Sequence, residues 1–306
     1  MSETGDTVFI HTNRKQRLGA LVSAHSLKTR SAEPGAFDVR ILWAEDQPFI
    51  AARDGQLYLR EGRKVEWCED DLQSFPPLRF DVPRVMGYTG RAVVIDPDVF
   101  AVGDVRELLG RDMRGRAVLA KRMPADGRKP LHWASSVMLL DCARLTHWRC
   151  EDDFARLFAF ELDYVDWMWL LREPPGSVGE LEAEWNHFDT LDAKTKLLHN
   201  THRRTQPWKT GLEADFTPRG RHPGEPDRSW VARLGDRLRG RREGPRGHYR
   251  AHPDAAQERF FFGLLRECLE TGVISREVVE EEIAHRHVRP DALELALGRG
   301  RQPSQP

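Results

Sequence analysis

The sequence predicts an α/β sandwich with a mostly parallel central sheet and a helical appendage at its C-terminal end. Three observations predict it. Short β-rich apolar runs alternate with helical segments up to about residue 215, the pattern of a sheet covered by helices. The run RAVVID (91–96) is apolar without alternation, which suggests burial on both faces, as in a parallel sheet. Beyond residue 216 the composition turns to Pro, Gly and Arg, and from His252 to Ala296 it follows a helical pattern.

The elements follow in order. TVFIHT (7–12) reads as a strand, Arg14 to about Arg30 as a helix, and FDVRILWAED (37–46) as a second strand. DDLQSF (70–75) and DVPRVMGY (81–88) read as short helical segments. RAVVID is the third strand, and DVRELL (104–109) a helix with Asp104 near its start. RAVLAKR (116–122) and ASSVMLLD (134–141) are further strands, 151–172 is helical, and TKLLHN (195–200) is a last short strand. An α/β body over 1–215 and an appendage over 216–306 are expected.

A chain of 306 residues suits one large domain or two small ones. Its net charge of −1 argues neither for nor against a nucleic-acid partner. The opening MSETGDTVFIHTN has no basic flank or apolar core, so no signal peptide is expected. Four cysteines without a CxxC pair read as reduced, packed thiols, and a cytoplasmic location is expected. GDRLRGRREGPRGHYR (235–250) carries six arginines against one Asp and one Glu. It reads as a surface loop, with peripheral membrane contact left open and nucleic acid not expected.

The chemistry points to VVIDPDVFAV (93–102), where Asp96 and Asp98 interrupt an apolar run. In open α/β sheets ligands bind beyond the carboxyl ends of the strands. Two carboxylates one residue apart at that edge can face one cation, and oxygen ligands suit Mg²⁺ or Mn²⁺ bridging to phosphates. Taken locally, an Asp-Pro turn explains the pair equally well.

The block FDVPRVMGYTGRAVVIDPDVFAVGDVRELL and the block TKLLHNTHRRTQPWKTG (195–211) resemble retaining glycosyltransferases of family 8, which have the GT-A fold. The matching features are Arg84 before the strand, Asp96-Pro97-Asp98, Gly103-Asp104-Val105, and a strand ending in His199 before Pro207-Trp208. WASSVMLLD (133–141) stands where the family has an "NxGvml" strand, and the similarity spans about residues 7–212.

The resemblance implies that Asp96, Asp98 and His199 hold Mn²⁺ or Mg²⁺ on a nucleotide diphosphate. It implies that Thr12 and Asn13, after His11, sit at the edge holding base and ribose. His202, Arg203, Arg204 and Lys209 would add cationic donors, and the Trp208 loop would close over the diphosphate. Asp166 and Arg84 are the implied catalytic residues, near the donor sugar. Asn186 and Asp189 are candidates for the acceptor side. The chain departs from the pattern at Ala134-Ser135-Ser136, where Ser135 or Ser136 must replace an Asn, and at Gln206, which replaces a Lys. Of the tryptophans near strand ends, Trp43, Trp133, Trp167, Trp169 and Trp185 are expected to be largely core.

The implied activity is hexosyl transfer from a nucleotide sugar, UDP-hexose by default, with retention, to a carbohydrate, lipid-linked or small-molecule acceptor. The rival readings are a sugar nucleotidyltransferase and a basic protein binding nucleic acid or a membrane surface. The first would want a Gly-rich loop after the first strand, and HTNRKQRLG is not one.

Overall fold

The structure, a computed structural model, describes residues 5–127, 129–216 and 247–298. Most of the Pro- and Gly-rich stretch FTPRGRHPGEPDRSW (216–230), expected to be a loop, and most of the Arg-rich run lie outside the described residues. The strands are β1 (Thr7–Thr12), β2 (Asp38–Trp43), β3 (Leu57–Arg60), β4 (Arg63–Glu66), β5 (Arg91–Ile95), β6 (Val99–Ala101), β7 (Val118–Met123), β8 (His132–Asp141), β9 (Val178–Leu181), β10 (His187–Phe188) and β11 (Leu197–His199). The helices are α1 (Arg17–Thr29), the single turns α2 (Pro48–Ala51), α3 (Val82–Val85) and α4 (Arg106–Leu109), then α5 (Cys150–Phe158) and α6 (Tyr164–Met168). Three more close the described chain: α7 (Ala255–Thr271), α8 (Arg276–Ala284) and α9 (Ala292–Ala296).

The main sheet has the order β2-β1-β5-β8-β7-β9. Only β8 runs against its neighbours; β1 pairs in parallel with β2 and β5, and β7 with β9. The α/β class, the mostly parallel sheet and the C-terminal helices expected from sequence are therefore what the chain forms. The lack of alternation in β5 has the expected cause. Val93 and Ile95 pack with Val8 and Ile10 on one face, Ala92 and Val94 with Phe9 on the other. Both faces are covered, so neither needs polar residues.

A second sheet, β10-β11-β6, was not expected. The chain leaves the main sheet at Asp96-Pro97-Asp98 and re-enters strand structure at once as β6, which pairs with β11. The apolar run of 93–102 is thus two strands in two sheets, with the aspartates at the crossing. The β3–β4 hairpin and β9 were also missed; they are short strands of four residues each.

Two helical expectations change. Residues 70–75 form turns, and the helical turn starts at Pro76–Phe80, where prolines fix the first φ angles. Residues 151–172 are two helices. Phe160 sits in the left-handed region (φ 61), and Asp163 caps α6 by accepting from the Val165 amide at 2.8 Å.

The C-terminal helices share a core with the body. Leu18 and Val22 of α1, Phe100 and Trp208 pack with Phe261, Leu265, Val279 and Ala292. α7 is capped by Asp254, whose carboxylate accepts from Ala256, and ends at the left-handed Gly272 (φ 72). All four cysteines are free, and burial pushes the Cys142 and Cys268 thiols up to about 12, so they pack rather than react.

Candidate active site

The two carboxylates stand at the crossing between the sheets because the backbone is held on both sides. The Asp96 amide donates to the Ser136 carbonyl at 3.0 Å, and the Asn200 amide donates to the Asp98 carbonyl at 3.0 Å. In the β6–β11 ladder His199 is opposite Val99, the residue after Asp98. Sheet register therefore delivers His199 to the aspartates. One ligand atom each from Asp96, Asp98 and His199 lies within 4.8 Å of the other two.

α1 backs this turn. A side chain at Gly19 would place its Cβ 2.8 Å from the Pro97 carbonyl oxygen, closer than real contacts allow. Glycine is used here for close approach, and the helix can thus pack directly against the aspartate turn.

Asp96 is held on one oxygen. Arg79 Nη2 donates to its Oδ1 at 2.8 Å, and His11 Nε2 lies 2.8 Å from the same atom. Burial alone would raise the Asp96 carboxyl, but Arg79 and His11 outweigh it and hold the group far below the usual carboxylate range. Burial, then Arg79, lowers the His11 imidazole. Arg79 also donates to Ser135 Oγ, which in turn donates to the Met168 carbonyl at 2.5 Å. Asp98 accepts from Gln206 Nε2 on Oδ2 at 3.0 Å and turns Oδ1 toward His199 Nε2 at 3.3 Å.

His199 has a fixed orientation. Its Nδ1 lies 2.8 Å from Asn186 Oδ1, and the Asn186 amide is itself oriented because its Nδ2 donates to Ser136 Oγ at 3.0 Å. The Asn oxygen is an acceptor only, so Nδ1 carries the hydrogen and Nε2 faces the carboxylates. This is how a metal-binding imidazole is held. Burial would lower the His199 pKa, but Asp98 and then Asp96 raise it above the ordinary histidine value. The donors present, two carboxylates and one oriented imidazole nitrogen, fit a divalent cation.

The trio opens into a cleft of about 330 Å³. Arg60, Lys129 and Arg203 line it, as do Ser135, Ser136 and the aromatic residues Tyr164, Trp133 and Trp169. Trp169 stacks on His132 with centroids 4.0 Å apart and rings 23° from parallel.

Several residues singled out from the sequence lie elsewhere. Arg84 is an exposed side chain paired with Asp81 at 2.6 Å, and Asp166 is exposed on α6; neither lines the cleft. The arginine that reaches Asp96 is Arg79, one turn earlier. Trp208 is fully buried, stacked on Phe261 at 4.7 Å and edge-on to Phe100, so it fastens the C-terminal helices. Lys209 is buried and donates to Asp215 at 2.5 Å. Arg204 packs its guanidinium against Gly247. Thr12 and Asn13 are buried at the end of β1, and Asn13 Nδ2 donates to the Asp71 carbonyl at 3.2 Å. Asp189 accepts from Thr201 Oγ1, and the exposed His202 donates its amide to Asp189 at 3.4 Å. Asn186 stands behind His199 rather than at the cleft wall.

Comparison with known proteins adds likenesses in fold. No protein-family model and no curated protein matches the chain. Among solved structures, the glycosyltransferase GlyE of Streptococcus pneumoniae TIGR4 has 15% identity and a TM-score of 0.47 over 67% of this chain and 56% of that one. The galactosyltransferase LgtC, solved with donor and acceptor sugar analogues, has 14% identity and a TM-score of 0.45 over 78% and 96%. Mouse xyloside xylosyltransferase 1 has 13% identity and a TM-score of 0.41 over 64% and 98%. The chain thus spans little more than half the length of GlyE. Among the described residues, no helix is long and apolar enough to cross a membrane.

Proposed function

We propose that the chain is a divalent-metal-dependent glycosyltransferase that takes a nucleotide-diphosphate sugar, UDP-hexose by default, and transfers the sugar with retention. The observation that carries this reading is the held tautomer of His199. Its Nδ1–H is committed to Asn186, which leaves Nε2 facing Asp98 and Asp96. An ordinary Asp-Pro turn has no use for such an arrangement.

A cation held by the trio supplies positive charge at a diphosphate leaving group. The chain's own groups do the rest. Arg79 keeps Asp96 ionised and fixed, so that the carboxylate needs no reorganisation on binding. Arg203 and Lys129, on the cleft wall, suit the remaining phosphate charge. Ser136 lines the same wall, and its hydroxyl can donate to a sugar oxygen. The His132–Trp169 stack and Trp133 offer apolar faces of the kind that pack against sugar rings.

The test is release of free nucleoside diphosphate from a panel of nucleotide sugars with Mn²⁺, with and without EDTA, with donor binding followed by thermal shift. EDTA-sensitive release from one donor is expected. Release of pyrophosphate instead would indicate nucleotidyl transfer. No release and no Mn²⁺-dependent stabilisation by any nucleotide would reduce Asp96-Pro97-Asp98 to a turn.

A further inference from the structure

The C-terminal helices carry a second group of metal-ligating side chains that the transferase reading does not use. Glu282 lies in the last turn of α8, and His285 and His287 follow it. One ligand atom from each of the three lies within 4.8 Å of the other two. Glu282 Oε2 is 2.9 Å from His287 Nδ1, and the two imidazole rings have centroids 5.6 Å apart.

The backbone brings them together by a specific device. Arg286, between the histidines, is in the left-handed region (φ 59), a conformation that costs a non-glycine residue about 1 kcal/mol. The reversal lets the His287 amide donate to the Glu282 carbonyl at 2.9 Å, and it folds His287 back over the helix end.

Glu282 is buried, with its side chain 3% exposed. Its Oε1 accepts from Arg17 at 3.2 Å, which leaves Oε2 directed at the histidines. An oriented carboxylate backed by a cationic neighbour is the kind of outer support found behind metal ligands. His285 is exposed and His287 half-buried, and both line a cavity of about 620 Å³ open to solvent. A cation therefore has an entry path and room for water as a further ligand.

We propose that Glu282, His285 and His287 form a second divalent-cation site, selective for Zn²⁺ and similar transition metals. Two imidazoles and one carboxylate are a donor set that suits Zn²⁺ or Co²⁺, and Mg²⁺ and Ca²⁺ prefer all-oxygen shells. The site braces the helix end against the body. Arg17, which orients Glu282, opens α1, and Gly19 two residues on touches the aspartate turn.

The experiment uses the full chain, stripped with a chelator and titrated with Zn²⁺ against a chromophoric competitor. Stoichiometry is compared among wild type, His285→Ala, Glu282→Gln and His199→Ala. His285 is exposed, so its truncation leaves the fold in place. The expected result is a Zn²⁺ equivalent, beyond any held by the Asp96–Asp98–His199 trio, that weakens at least tenfold in His285→Ala and Glu282→Gln and persists in His199→Ala. Co²⁺ loaded into the His199→Ala chain should show a d–d absorption that the further change His285→Ala removes. Unchanged affinity and stoichiometry in His285→Ala, or loss of all Zn²⁺ binding with His199→Ala alone, would overturn the proposal.

Discussion

Asn186 Oδ1 accepts from His199 Nδ1 at 2.8 Å, behind the imidazole and away from the cleft. The bond fixes which nitrogen faces Asp96 and Asp98. Replacing Asn186 by Leu removes the acceptor and frees the ring to choose the other tautomer. Mn²⁺ affinity is expected to fall about 10- to 100-fold, the usual cost of losing such a partner. Asn186→Asp keeps the acceptor and should retain most of the affinity. Titration of Mn²⁺ by electron paramagnetic resonance checks both variants; equal affinity in Asn186→Leu and the wild type would remove Asn186 from this role.

The trio itself is tested by turnover. Asp98→Asn and His199→Ala should abolish EDTA-sensitive release of nucleoside diphosphate. Arg84→Ala and Asp166→Ala should leave it within about twofold, because surface substitutions away from the site change little. Both side chains are exposed and outside the cleft. Metal-dependent turnover that survives in Asp98→Asn and His199→Ala would sink the ligand assignment.

Much of this site was legible in the sequence, and the parts that were not have physical reasons. Asp96 and Asp98 stand out in the sequence because two carboxylates break an apolar run, and His199 because its block, with Pro207-Trp208, resembles a known family; the β6–β11 register then brings the three together. Arg79 was not, because nothing local marks it. It is one arginine among many, and its importance comes from being buried, with a side chain 6% exposed, against a carboxylate 17 residues on. Trp208 was misleading for the opposite reason. Its place in the loop is near the cleft in sequence, yet α7 supplies Phe261 to cover its face. The second sheet was invisible because β6 has three residues and continues the apolar run of β5. Only the register with β11, a long-range pairing, separates the two.

Gly19 gives a paired test of close packing. Gly19→Ala should raise helix propensity by about 1 kcal/mol, yet its Cβ would meet the Pro97 backbone oxygen at 2.8 Å. Overpacking of this kind costs about 1–3 kcal/mol, and the displaced turn should weaken Mn²⁺ binding as well. A Cβ at Gly263, in α7, would meet nothing within 4 Å, so Gly263→Ala should stabilise by about 1 kcal/mol. Urea denaturation of the two variants is expected to give shifts of opposite sign. A stabilised Gly19→Ala chain with unaltered Mn²⁺ affinity would show that the turn yields freely.

Lys209 and Asp215 set a pH dependence. Burial would raise the Asp215 carboxyl, but Lys209 at 2.5 Å and the Tyr249 hydroxyl at 2.5 Å hold it below its ordinary value. A carboxylate with a depressed folded pKa adds stability above its unfolded value of about 3.9, and that stability is lost as pH falls through the folded value. Burial lowers the Lys209 pKa despite its partner, so that group favours the fold more as pH rises toward the alkaline range. Lys209→Met leaves the half-buried Asp215 without its hydrogen-bonded cation and should cost about 1–3 kcal/mol at pH 7. Adding Asp215→Asn removes the unpaired charge, should recover part of that loss, and should flatten the acid limb of the stability profile. Denaturation of wild type, single and double variants between pH 3 and pH 7 measures this. A Lys209→Met chain as stable as the wild type at pH 7 would mean that Tyr249 and Lys15 suffice to hold the carboxylate.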